Sequence, residues 1–168
     1  MIEKFRTLFF VKSSLISLYL ALTIPIPFIS SENLKIPSII AFVFGLFLIT
    51  SITNDYVNTC DKKVSFKTSF ISKIFGKKNW EIFWKDIKQI KSFPTSQGSL
   101  VHYFVTYSNE SYLVPQRVEN FKKFISIVEN KTNLNIAGIS YISPLWTYKL
   151  LTYLSFLMII FEIVSFKI

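Results

Sequence analysis

At 168 residues the chain has room for one modest folded unit plus a few membrane-spanning helices. It is 51% hydrophobic with 18 Phe, yet Lys and Arg still outnumber Asp and Glu by nine, a load of apolar surface that argues against a single soluble domain. One cysteine (Cys60) and one histidine (His102) exclude an intramolecular disulfide and a two-cysteine or multi-histidine metal site.

The chain opens with Lys4, Arg6 and Lys12, followed by 19 residues, Ser13 to Ser31, without a charged side chain. That length matches the ~20 residues a helix needs to cross a bilayer. A cleavable signal peptide is the alternative, but Phe28 and Ile29 stand where cleavage wants small residues, which favours a retained helix. It runs over about 13–30, or begins earlier near Phe5 with Lys12 snorkelling to the interface. Pro25 and Pro27 are placed to kink or stop its far end. Residues 31–35 read as a short polar turn, and a second uncharged run of 19 residues, Ile36 to Asn54, as a second span starting with Pro37 in its first turn. Residues 1–54 are thus expected to be a transmembrane hairpin. Ser17 with Ala21, and Ala41 with Gly45, offer small-residue notches for close packing.

From 55 to 136 the pattern changes. Residues 63–70 and 79–84 alternate polar and apolar, and 100–107 and 111–114 are rich in aromatic and β-branched residues. Gly76, the stretch 94–99 with Gly98, and 108–110 supply turn chemistry between them. After Pro115 the period turns helical: Val118, Phe121, Phe124 or Ile125, and Val128 form one stripe. The reading is a small antiparallel sheet capped by one helix.

Residues 137–168 contain a third apolar run, about 144–166. Ser143 and Pro144 suit a helix start, and Trp146, Tyr148 and Lys149 suit an interface. Glu162 lies 18 residues beyond Pro144, about 27 Å along a helix, near the opposite interface. A helix lying in the interface is the alternative to a third span. Thirteen Lys and Arg fall in 55–143, three in the N-terminal flank and one in the hairpin turn. Positive residues stay inside, so the N-terminus and the folded domain are expected on the cytoplasmic face.

Trp84, Ile87 and Ile90, an aromatic hairpin over Val101–Val114 and a closing helix from Val118 to Lys131 follow one another in a set order. On these residues, roughly half of the chain resembles the bacterial pleckstrin-homology-like (PH-like) domains that sit beside membrane helices in small uncharacterised proteins. Asn79–Trp84 also resembles uncharacterised cyanobacterial membrane proteins. The resemblance implies a partly open barrel with a helix plugging one end, no catalytic activity and no consistent ligand. In eukaryotic relatives the loop between the first two strands meets phosphoinositide headgroups, and the resemblance places Ser72–Lys78 there.

Lys73, Lys77 and Lys78 in that loop fall short of a full basic signature and are expected to act by charge, at about 1 kcal/mol each beside an anionic surface. Lys62 and Lys63 follow the second span closely and are brought near lipid by the tether. The alternative for all five is a solvated basic surface. His102 reads as a structural strand residue and Cys60 as an ordinary small one. Asp55, Asp61, Glu81 and Asp86 have no spacing for metal binding or paired-carboxylate catalysis. Phe66, Phe70, Trp80, Phe83, Tyr103 and Tyr107 among lysines could mimic a nucleic-acid platform, but alternation makes core the better account of half of them. Two glycosylation-type triplets, at Asn109 and Asn130, would lie on the unmodified side.

The expectation is an α+β membrane protein: an N-terminal helical hairpin, a small antiparallel PH-like sheet closed by one helix, and a C-terminal transmembrane helix. No enzyme activity, cofactor, metal or nucleic-acid partner is expected. The partners expected are the lipid bilayer and another membrane protein or complex, for which the domain would serve as an assembly module. An anionic-lipid sensor is the alternative.

Overall fold

The computed structural model describes residues 2–166. In chain order it contains β1 (Glu3–Arg6), α1 (Phe9–Thr23), α2 (Pro25–Ile29), α3 (Glu32–Ile52), β2 (Tyr56–Thr59), β3 (Lys63–Lys67), α4 (Phe70–Ile74), β4 (Trp80–Phe83), a 3-10 turn (Trp84–Asp86), β5 (Ile87–Pro94), β6 (Leu100–Thr106), β7 (Ser111–Leu113), α5 (Phe121–Thr132) and α6 (Leu145–Phe166). The chain up to Leu8 joins Asn54–Ser143 in one unit; Phe9–Thr53 and the chain from Pro144 form the other.

In the sheet unit, period-two alternation becomes two antiparallel meanders, β1-β2-β3-β4 and β5-β6-β7. Alternation turns Phe5, Val57, Val64 and Ile82 of the first sheet inward, and Ile87 and Phe104 of the second. Helix α5 supplies the other wall through Phe121, Phe124, Ile125 and Val128, the stripe its period specifies. The ring of Phe124 lies 5.5 Å from that of Phe5. Trp84 is buried, and its indole N–H donates to the Cys60 carbonyl at 2.8 Å. Turns fall where glycine and asparagine allow: Gly98 at φ 76° between β5 and β6, and Asn109 at φ 62° between β6 and β7.

Several expectations change here. Residues 3–6 are a strand, not the flank of the first helix. Glu3-Lys-Phe-Arg6 is too short an alternation to read from sequence, but it pairs with β2 and buries Phe5. Beyond that strand, Leu8 N–H donates to the Arg117 carbonyl and Glu119 N–H to that of Arg6, with Thr7 bridging to Val118. Val118 therefore sits in a bridge, and the closing helix starts at Phe121, after Asn120 in a left-handed conformation. The strand expected over 63–70 stops at Lys67, and α4 follows.

In the helical unit, three helices are long and apolar enough to cross a membrane: 9–29, 32–52 and 145–165. The first bends where expected, α1 giving way to α2 at Pro25. The polar turn expected at 31–35 is instead the start of α3, with a Glu32–Lys35 pair at 3.7 Å, so Pro37 lies inside the helix. Helix α1 buries Val11, Ser14, Ser17 and Ala21, and α6 buries Thr152 and Ser155. Their hydroxyls donate back to carbonyls of their own helix, as Ser14 to Val11 at 3.0 Å and Ser155 to Leu151 at 2.8 Å, so these buried hydroxyls are satisfied without a partner on another helix. Tyr19 stacks on Phe42 and donates to its carbonyl at 2.7 Å. Gly45 leaves the room: a Cβ there would lie 2.3 Å from the tyrosine hydroxyl. Of the expected notches, Ser17/Ala21 and Gly45 are packed, whereas Ala41 is exposed.

Candidate functional site

The basic loop between β3 and β4 is a built structure. Thr68 and Asn79 close its neck: the Asn79 side-chain oxygen accepts from the Thr68 backbone N–H at 2.8 Å and its hydroxyl at 3.0 Å. Ser69 caps α4 by accepting from Ser72 N–H at 3.1 Å. Gly76, at φ 83°, ends it: Gly76 N–H donates to Lys73 O and Lys77 N–H to Ser72 O, the paired bonds of a glycine-terminated helix.

Asp55 holds this loop from below. It is only 8% exposed. One carboxylate oxygen accepts from Ser69 N–H and Ser72 Oγ, both at 3.1 Å, and the other from Lys77 Nζ at 2.6 Å. A buried carboxylate with three donors, one of them cationic, is a satisfied anchor. The sequence reading missed it, because its partners lie 14 to 22 residues away.

The five lysines are not equivalent. Lys77 is committed to Asp55. Lys63 on β3 pairs across the sheet with Glu81 on β4; their hydrogen bond raises the lysine pKa and lowers that of the glutamate. Lys73, at the end of α4, and Lys78 are exposed. Lys62 lies apart, in a shallow cleft of about 410 Å³ with Asp61, Phe83, Trp84, Lys85 and Lys131. The structure thus brings Lys73, Lys77 and Lys78 together and leaves Lys62 and Lys63 elsewhere.

Three apolar side chains share the loop and were not singled out as a group from sequence: Phe70, Ile74 and Phe75, exposed at 76%, 66% and 65%. The signal was present, since residues 68–79 contain three lysines, four large apolar residues (these three and Ile71) and no acid. Expecting a strand through Phe70 hid it. The loop also does not join the first two strands. It joins β3 to β4, and the β1–β2 connection is the entire helical segment from Phe9 to Ile52. The equivalence with the headgroup-binding loop of eukaryotic relatives therefore fails.

His102 on β6 is 1% exposed. Its Nδ1 lies 2.7 Å from the Ser92 hydroxyl on the neighbouring strand, and burial lowers its pKa. Phe66 and Trp80 stack at 5.8 Å against the core, while Tyr107 and Phe70 are exposed.

No family model matches the chain. Over 154 residues it is 28% identical to the uncharacterised protein slr0269 of Synechocystis sp., spanning 88% of this chain and 77% of that protein. The likeness to an uncharacterised cyanobacterial protein expected from sequence is found.

Proposed function

We propose that the chain is an integral membrane protein with three spans that holds a PH-like module on the cytoplasmic face, where it acts without catalysis as an interaction or assembly module for a membrane protein complex. The observation that carries this reading is the pairing of β1 with β2. Paired strands lie ~5 Å apart, so the two ends of the segment from Phe9 to Ile52 share one folded unit and one side of any membrane. Two helices of spanning length then form a hairpin that crosses and returns, and α6 leaves once. Thirteen Lys and Arg within 55–143 favour the cytoplasm for that unit.

Two antiparallel meanders of four and three strands followed by one helix support a PH-like arrangement. The sheets are not closed into a barrel, in keeping with a partly open form. A sensor of anionic lipid is the second reading, favoured by the exposed Lys73 and Lys78 in a loop without acids.

The test pairs topology with partnership. A reporter inserted at Gly98 should appear in the cytoplasm, and one fused after Ile168 on the opposite face; both on one side would overturn the three-span arrangement. Purified in mild detergent, the chain should bring down a defined membrane protein in fixed stoichiometry. Its recovery alone would overturn the assembly role.

A further inference from the structure

We infer that the apolar face of α4 is a wedge: Phe70, Ile74 and Phe75 seat in the headgroup region of an anionic bilayer, with Lys73 and Lys78 beside them meeting lipid phosphates while Lys77 stays on Asp55. The inference rests on the membrane-spanning reading and adds to it a second contact, made by the folded unit itself.

Three features converge on this occupant. A one-turn helix capped at both ends and anchored to Asp55 holds three large apolar side chains out of the core at 65% exposure or more. A soluble surface that presents such a group presents it to something. The surrounding charge then distinguishes a bilayer from a protein. Residues 68–79 carry three lysines and no acid, whereas the centres of protein interfaces are depleted in lysine. Apolar residues beside lysines are the composition of segments that lie in a lipid interface, rings and branched chains below and amines at the phosphates.

The third feature is covalent reach. Asp55 follows Ile52, the last residue of α3, by three positions, a reach of at most about 11 Å. The carboxylate that fixes α4 is therefore tied by a very short tether to the end of a candidate span. Asp55 acts here as a positioning residue: it holds the wedge and makes no lipid contact of its own.

The test uses the full chain carrying Cys60→Ser, with a nitroxide label placed in turn through Ile74→Cys, Gln97→Cys and Val43→Cys. Each is reconstituted in nanodiscs of phosphatidylcholine with phosphatidylglycerol, and collisions with oxygen are compared with those of an aqueous nickel chelate. Oxygen should dominate at 74 and 43, and nickel at 97. With phosphatidylglycerol omitted, position 74 should shift toward nickel while 43 stays unchanged. Nickel dominance at 74 with oxygen dominance at 43 would overturn the wedge and leave the spans standing, turning this face over to a protein partner. Nickel dominance at both would overturn the spanning reading itself. A depth at 74 indifferent to phosphatidylglycerol would overturn the part assigned to the lysines.

Discussion

Apart from Ser72, held by Asp55, the least exposed residues of the sheet unit are Phe104, Phe124, Val57, Val64 and Val128, while those of the helical unit are Ser14, Ala21 and Ser155. Outside, the order reverses. Leu157, Ile160 and Phe161 of α6 and Ile40, Val43 and Phe44 of α3 stand open, whereas α5 turns Lys122, Lys123 and Glu129 outward. One unit gains by removing large apolar surface from its solvent; the other packs by letting backbones approach through small residues whose hydroxyls are satisfied within their own helix. The first is the logic of a domain in water and the second of helices in lipid, so the contrast itself supports the membrane reading.

The largest effect should come from cutting a ring out of the sheet unit. Phe124 is fully buried and touches both Phe5 and Phe121. Phe124→Ala should cost about 3–5 kcal/mol, a large share of a small domain's stability. Hydrogen exchange of the full chain would register it as loss of protection throughout the strands, with the helical unit retained. Lys122→Ala, two positions away on the outer face and exposed, should leave protection unchanged. Equal loss from both would mean that α5 is not a wall of the core.

A smaller effect is expected from adding an atom to the helical unit. Gly45→Ala places a Cβ against Tyr19, whose ring is held by its stack on Phe42 and its hydrogen bond to the Phe42 carbonyl. Overpacking of this kind costs about 1–3 kcal/mol, and the resistance of the α1–α3 pair to dissociation in mixed micelles would report it. Tyr19→Leu in the Gly45→Ala background should restore part of that resistance. If Gly45→Ala is silent on its own, size does not govern packing in this unit and the contrast with the sheet unit weakens.

The two units also differ in how much the sequence discloses. Uncharged runs of 19 residues announce apolar helices of spanning length directly, because hydropathy is a property of the local segment. Their ends were less legible: Glu32 and Lys35 read as a turn but pair as neighbours on a helix. In the sheet unit, the α5 stripe and the turns at Gly98 and Asn109 were local and came through. Strand β1 did not, since its four residues become a strand only through partners some fifty positions away. The candidate site divides the same way. Its lysines were visible as a cluster, but Asp55 acquires its role from Ser69, Ser72 and Lys77, and Phe70, Ile74 and Phe75 come together only because the strand stops at Lys67.

The finest difference between the units concerns buried polar atoms, and His102 tests it. The serines buried between α1 and α6 carry no titratable proton, whereas the imidazole in the sheet does. Its Nδ1 meets the Ser92 hydroxyl, and its Nε2 is buried without a hydrogen-bond partner among the described residues. Protonation would leave a second N–H unsatisfied and a charge out of water, which is why burial pushes the folded-state pKa below its ordinary value of 6.5. The sign follows from proton binding. As pH falls through 6.5 the unfolded chain takes up a proton that the folded one refuses, so stability drops from there until the lowered folded-state value is passed. The slope is at most about 1.4 kcal/mol per pH unit, one proton's worth. Denaturation of the sheet unit, followed by tryptophan fluorescence of the full chain, should show this decline on mild acidification. His102→Gln should flatten that component while lowering stability at neutral pH by a smaller, pH-independent amount. An unchanged acid slope in His102→Gln would assign the proton uptake to the surface carboxylates and leave His102 as an inert core residue, no different in kind from the serines it is contrasted with.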